Sequence, residues 1–139
     1  MATIQRFEEL EIWQLARQLA KEIFIFSKSE KLSKDYELKN QMNRSAGSIM
    51  DNIAEGFGRS SRLEFIQFLS IVTGSAAELQ SQLYRYNDKE YMDEILFKDL
   101  AEKTNAVYKK TMGFIKYLSG KLIKGTKFKE RVQTPKNDK

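Results

Sequence analysis

The sequence has no cysteine and no histidine, and its one proline, Pro135, lies close to the C-terminal end. Without cysteine there is no disulfide framework and no thiolate metal site. With histidine missing as well, only carboxylates and lysines remain as candidates for catalysis, and they carry no recognisable cleft signature. Long apolar runs are also missing: none approaches the ~20 residues needed to cross a bilayer. Met1 to Leu10 has neither the basic segment nor the apolar run of a signal peptide. These absences point to a soluble cytoplasmic protein with no membrane association, no cofactor and no bound metal. With 139 residues the chain forms a single domain, large enough to bury a core without covalent staples.

Charge is unevenly placed. Residues 1–122 hold 18 Lys and Arg against 17 Asp and Glu, whereas residues 123–139 hold 6 against 2. The net charge of +5 is therefore mostly a property of the C-terminal end. That end carries Gly125 and Pro135, and its apolar side chains are confined to Ile123, Phe128 and Val132. Such a composition predicts a flexible basic tail over 123–139 following a helical domain over 1–122.

Proline is absent before residue 135, glycine is sparse, and no β-branched run alternates with polar residues, so the pattern is helical throughout. A first helix is predicted from Phe7 to Phe26, with Ile12, Ala16, Leu19, Ile23 and Phe26 on one face and Trp13, Ala20 and Phe24 widening it. After a short polar linker, a second runs from Tyr36 to Glu55 and is ended by Gly56 and Gly58, which supply a left-handed conformation. The third opens on a capping box, Ser61 with Glu64, and continues as Phe65, Leu69, Val72, Ala76, Leu79 and Leu83, the four-three repeat of a bundle seam. A turn at Tyr86 to Lys89 leads to the fourth, from Asp93 to Ser119. Leu96, Leu100, Val107, Phe114 and Leu118 point inward there, with Tyr108, Met112 and Ile115 beside them. Short linkers make sequential helices antiparallel, so the expected fold is all-α, an up-down-up-down four-helix bundle.

One stretch departs from simple core patterning. Asn52-Ile53-Ala54-Glu55-Gly56-Phe57-Gly58-Arg59 sets polar groups into an apolar helix and follows them with glycines. Going back from Glu55, Asn52, Ser48, Ser45 and Gln41 form a polar stripe beside the apolar stripe Leu38, Met42, Ala46, Ile49 and Ile53, so the helix needs two neighbours.

The opening Phe7 to Leu10 with Trp13 and Ala16, the segment Gln41 through Arg44 to Ser48, the Asn52-to-Gly56 element, Arg59, and Gly74-Ser75 with Glu78 together resemble the four-helix-bundle proteins of the 23S rRNA-intervening-sequence family. The resemblance covers about residues 7–122. The same family includes the accessory protein of diversity-generating retroelements, and related members assemble as pentameric barrels. The resemblance implies a non-catalytic homo-oligomer associated with nucleic acid, since the retroelement relatives bind both nucleic acid and a reverse transcriptase.

The candidate residues fall into two groups. Asn52 and Glu55 are placed to face Ser75 and Glu78, with Gly74 and Ser75 leaving room for close helix approach. A carboxylate pair can hold a hard cation or do acid–base work. Carboxylate-bridged metal bundles pair glutamate with histidine, however, and none is present, which favours a structural polar cluster of Arg44, Asn52, Glu55, Ser75 and Glu78. Arg59 sits beside the amides that open the third helix and is a candidate anion contact, weighed against pairing with a nearby acid. Lys121, Lys124, Lys127, Lys129, Arg131 and Lys136, with Phe128 interleaved, can neutralise phosphates and stack a base without reading sequence. Tyr84, Tyr86 and Tyr91 are read as packing and interface groups. The expected function is an oligomeric scaffold that binds RNA or DNA through its basic end, the alternative being a protein-binding adaptor.

Overall fold

A computed structural model describes residues 3–130 of the chain, with side chains through residue 121. The protein is all-α, and no strand occurs among the described residues. A 3-10 turn at Phe7–Glu9 is followed by α1 (Glu11–Ser27), the single-turn α2 (Glu30–Ser33), α3 (Tyr36–Phe57), α4 (Arg62–Asp88) and α5 (Glu94–Glu130). The 3-10 turn replaces the first part of the predicted first helix. Likewise α2 lies within the stretch read as a linker, where Leu32 is fully buried and anchors the turn.

Helices α3 and α4 start where a side chain accepts from an orphan amide. The Asp35 carboxylate accepts from the Leu38 amide at 3.3 Å, and Ser61 Oγ accepts from the Glu64 amide at 3.2 Å. At the end of α4, Glu90 adopts a left-handed φ of 61° and the Tyr91 amide donates to the Tyr86 carbonyl at 3.0 Å, closing the helix.

The apolar stripes read from spacing are the core. Ile12, Ala16, Leu19, Ile23 and Phe26 of α1, Leu38, Met42, Ala46, Ile49 and Ile53 of α3, and Phe65, Leu69, Val72, Ala76, Leu79 and Leu83 of α4 are all buried. On α5, Leu100, Val107 and Leu118 are buried and Leu96 and Phe114 are partly so, while Tyr108 and Met112 remain exposed. The helix α3 packs on α4, α4 on α5, and α1 on both α3 and α5. Hydrogen bonds show which ends meet. Tyr86 Oη, late in α4, donates to the Leu38 carbonyl, early in α3, at 2.9 Å. Lys103 Nζ, early in α5, donates to both oxygens of Glu22, late in α1, at 2.8 and 2.9 Å.

Two expectations about glycine and helix length are corrected. No glycine among the described residues has a positive φ; Gly58 stays right-handed at φ −76°, and the left-handed position of the turn is Ser60, at φ 61°. The fourth predicted helix does not stop at Ser119. It runs through Gly120 and Gly125 to Glu130, beyond the predicted end. An isolated glycine weakens a helix by only ~1 kcal/mol relative to alanine, too little by itself to end one. Residues 131–139 lie outside the described part of the chain.

Candidate functional site

The polar stripe of α3 meets α4 through its serines. Ser48 Oγ and Ser75 Oγ are 2.8 Å apart, and Asn52 Nδ2 donates to the Ser48 carbonyl at 2.8 Å and to Ser48 Oγ at 3.0 Å. Ser75 is buried, and Ser48 and Asn52 are half-buried. The three side chains thus form one chain of hydrogen bonds across the α3–α4 seam, which satisfies polar groups that would otherwise be stranded between helices. Asn52 reaches Ser75 through Ser48, a relay missed in the sequence because Ser48 reads as one small residue among several.

The two glutamates do not join this network. The Glu55 carboxylate accepts from Arg59 Nη2 at 3.1 Å, and Arg59 Nε lies 3.9 Å from Glu64 Oε1. The Arg59 guanidinium also covers the Phe68 ring, 5.1 Å from its centroid. Glu78 and Arg44 are exposed, and neither takes part in the ion pairs of the described residues. Glu55 is therefore held by Arg59, outside the serine–asparagine relay. Among the described residues no three acidic groups converge in a way that could hold a metal ion.

The close helix approach was assigned to the wrong glycine. Gly74 is exposed with open space where a side chain would stand, whereas Gly56 is buried against Phe65 and Phe68 of α4. The Asn-Ile-Ala-Glu-Gly element thus supplies Asn52 to the hydrogen-bond relay and, in Gly56, a close contact between α3 and α4.

Below that point the α3–α4 turn, the N-terminal segment and α5 enclose a groove of about 930 Å³. Its floor is a set of packed rings. Phe57 meets Phe65 edge-on at 5.9 Å, Phe65 meets Phe114 edge-on at 5.5 Å, and Phe114 stacks with Tyr117 at 6.2 Å. Arg62 and Lys121 are the charged residues of its lining. Arg62 escaped the sequence reading, being one arginine beside a more conspicuous Arg59. Lys121 is exposed with its ammonium 5.4 Å from the centre of the Tyr117 ring. Lys124, Lys127, Phe128 and Lys129 follow on the α5 backbone, with side chains outside the described residues, and Arg131 and Lys136 lie beyond them.

A second groove, of about 410 Å³, runs between α4 and α5 and is lined by small residues such as Ala77 and Ser81, with Tyr84 and Tyr108 at its edges. Tyr86 lies in the core and Tyr91 packs against it. Burial pushes the Tyr86 phenol up to about 12. Tyr91 donates to Asp35 Oδ2 at 2.8 Å, a bond that lowers the Asp35 carboxyl and raises the Tyr91 phenol.

An all-α protein whose α3–α4 joint carries this polar relay and close glycine contact is the class defined by these observations. The family model for the 23S rRNA-intervening sequence protein matches residues 8–113, and the chain belongs to that family. Among solved structures, it shares the fold of a protein of unknown function from the S23 ribosomal protein family of Bacteroides thetaiotaomicron. The two are 24% identical, with a TM-score of 0.71 over 76% of this chain and 95% of that one. No curated protein matches it. No described helix is long and apolar enough to cross a membrane.

Proposed function

We propose that the chain is a non-catalytic, self-assembling scaffold that contacts the backbone of RNA or DNA. In this reading the four long helices form an antiparallel up-down-up-down bundle, copies associate into a homo-oligomer, and the basic positions from Lys121 onward meet phosphates. The resemblance to pentameric relatives suggests five copies. The observation that carries the assembly is the α4–α5 face. Tyr84, Tyr108 and Met112 are 57%, 36% and 44% exposed there, beside a groove with small residues in its lining. Clustered exposed apolar side chains mark interaction surfaces, whereas single scattered ones do not.

Mass in solution at micromolar concentration tests the assembly, and a monomer rejects it. For nucleic acid, the full chain is compared with a variant carrying Lys124→Gln, Lys127→Gln, Lys129→Gln and Arg131→Gln, using a structured RNA and a DNA duplex at several salt concentrations. The log–log salt slope falls by about 0.9 per lost phosphate contact on a duplex if these cations bind the backbone. The same exposed face supports a second reading, a protein-binding adaptor whose partner, for instance a reverse transcriptase, covers it. A monomer that binds no nucleic acid at low salt favours that reading.

A further inference from the structure

We propose that the groove between the α3–α4 turn and α5 receives an unpaired base of a single-stranded nucleic acid, stacked on Tyr117, with the flanking phosphates on Arg62 and Lys121. The assignment rests on the nucleic-acid reading above and gives it a location and a substrate class. The groove is distinguished from the others by its charge. Its lining contains Arg62 and Lys121 but no Asp or Glu. By contrast, the groove between α1 and α3 mixes Glu8 with Arg17 and Lys21, and the one between α4 and α5 has no charged lining residue. Neither Arg62 nor Lys121 takes part in the ion pairs of the described residues.

The floor suits a flat apolar ring. Tyr117 is 51% exposed and is backed by Phe114 at an interplanar angle of 25°, so the ring is braced on the protein side while half of it remains open. In the unliganded chain the Lys121 ammonium stands over this ring. A base stack outweighs an exposed cation–π contact, and the long lysine side chain can swing from the ring to the neighbouring phosphate.

A polymer fits better than a lone anion. Along α5, Lys121, Lys124 and Phe128 follow Tyr117 at steps of four, three and four residues, which puts these positions on one side of the helix. Two cationic positions, Lys121 and Lys124, about one ~5.4 Å turn apart match successive phosphates of a backbone, whereas a single carboxylate needs only the first. The chain's own C-terminal residues are a poor occupant, because residues 131–139 carry Arg131, Lys136 and Lys139 against one Asp138 and share the sign of the rim. An unpaired base is required because a base held within a duplex cannot lie on the ring.

The test uses the full chain and a fluorescent uridine 12-mer, with its duplex, inorganic polyphosphate and polyglutamate as competitors. Tyr117→Ala is expected to weaken binding about ten-fold, while Tyr117→Phe retains it. Arg62→Gln is expected to lower the log–log salt slope by about 0.7, one single-strand phosphate contact. All three substitutions fall on exposed side chains, and circular dichroism confirms the fold. If the unaltered chain binds no nucleic acid at low salt, this assignment and the reading it rests on both fall. If it binds but Tyr117→Ala is neutral, only the groove assignment falls. Polyphosphate competing as well as the single strand also overturns it, as does polyglutamate, which would identify an acidic peptide as the occupant.

Discussion

Gly56→Ala and Gly47→Ala, two identical changes within α3, should alter stability in opposite directions. A Cβ at Gly56 stands 2.6 Å from Phe68 Cβ, 3.0 Å from Phe65 Cδ1 and 3.3 Å from Phe68 Cγ, while one at Gly47 meets nothing within 4 Å. Carbon atoms in contact prefer ~3.5–4.0 Å, so the first pair overlaps by about 1 Å. Phe68 Cβ is fixed to the α4 backbone, and no rotamer change moves it; the helices must part instead. Alanine gains ~1 kcal/mol over glycine in a helix interior. Against that, an added methyl in a packed seam costs about 1–3 kcal/mol, and parting the helices loosens Phe65 and Phe68 along with it. The net for Gly56→Ala is a loss of about 1–2 kcal/mol, and for Gly47→Ala a gain of about 0.5–1 kcal/mol. Thermal melting followed by circular dichroism reads this as a drop of about 2–8 °C and a rise of about 1–4 °C. Gly56→Ala melting at or above the unaltered chain refutes the close-approach argument.

Two further changes probe the core chemistry. Tyr86→Phe removes the hydrogen bond to the Leu38 carbonyl and should lower stability by about 0.5–1.5 kcal/mol near neutral pH. The folded phenol, held up to about 12, lies above the ordinary 10.0, so its contribution is full below pH 10 and is lost as the pH rises toward 12. Urea unfolding of both chains near neutral pH and near pH 11 should therefore show the gap narrowing, and an unchanged gap contradicts the assignment. Thr111 is fully buried and its Oγ1 has no hydrogen-bond partner. Thr111→Val keeps the shape and removes the stranded hydroxyl, so denaturant titration should show a gain of about 0.5–1 kcal/mol; a loss means that the hydroxyl is satisfied.

The apolar spacing was legible because burial needs only one-dimensional periodicity: the stripes on α1, α3 and α4 can be read from steps of three and four. Ser61 marks its helix start because a cap acts within three residues of its own position, whereas the Asp35 cap was not read. Pairings across helices were harder. Gly56 and Gly74 look alike in sequence, and only the relative shift of α3 and α4 decides which one faces a phenylalanine. Glu55 has partners within reach on both sides, and Arg59, four residues on in the α3–α4 turn, pairs with it. The extension of α5 was missed for another reason. One glycine costs a helix only ~1 kcal/mol, which is too little to end it where no proline occurs before residue 135.

The Asn52-to-Arg59 segment invites either a structural or a functional reading, yet in this fold one produces the other. The Gly56 contact brings α3 hard against α4, Ser60 takes the left-handed position that reverses the chain, and Ser61 caps the new helix, so that Arg62 lines the groove it shares with Lys121. Phe57 and Phe65, on either side of the turn, become the inner rings of the same groove. A wedge at Gly56 therefore moves Arg62 relative to Tyr117, and stability and single-strand binding should fall together. Tyr117→Ala acts on an exposed ring and should lower binding while leaving the melting temperature nearly unchanged. That pair of outcomes separates the joint that builds the groove from the ring that uses it.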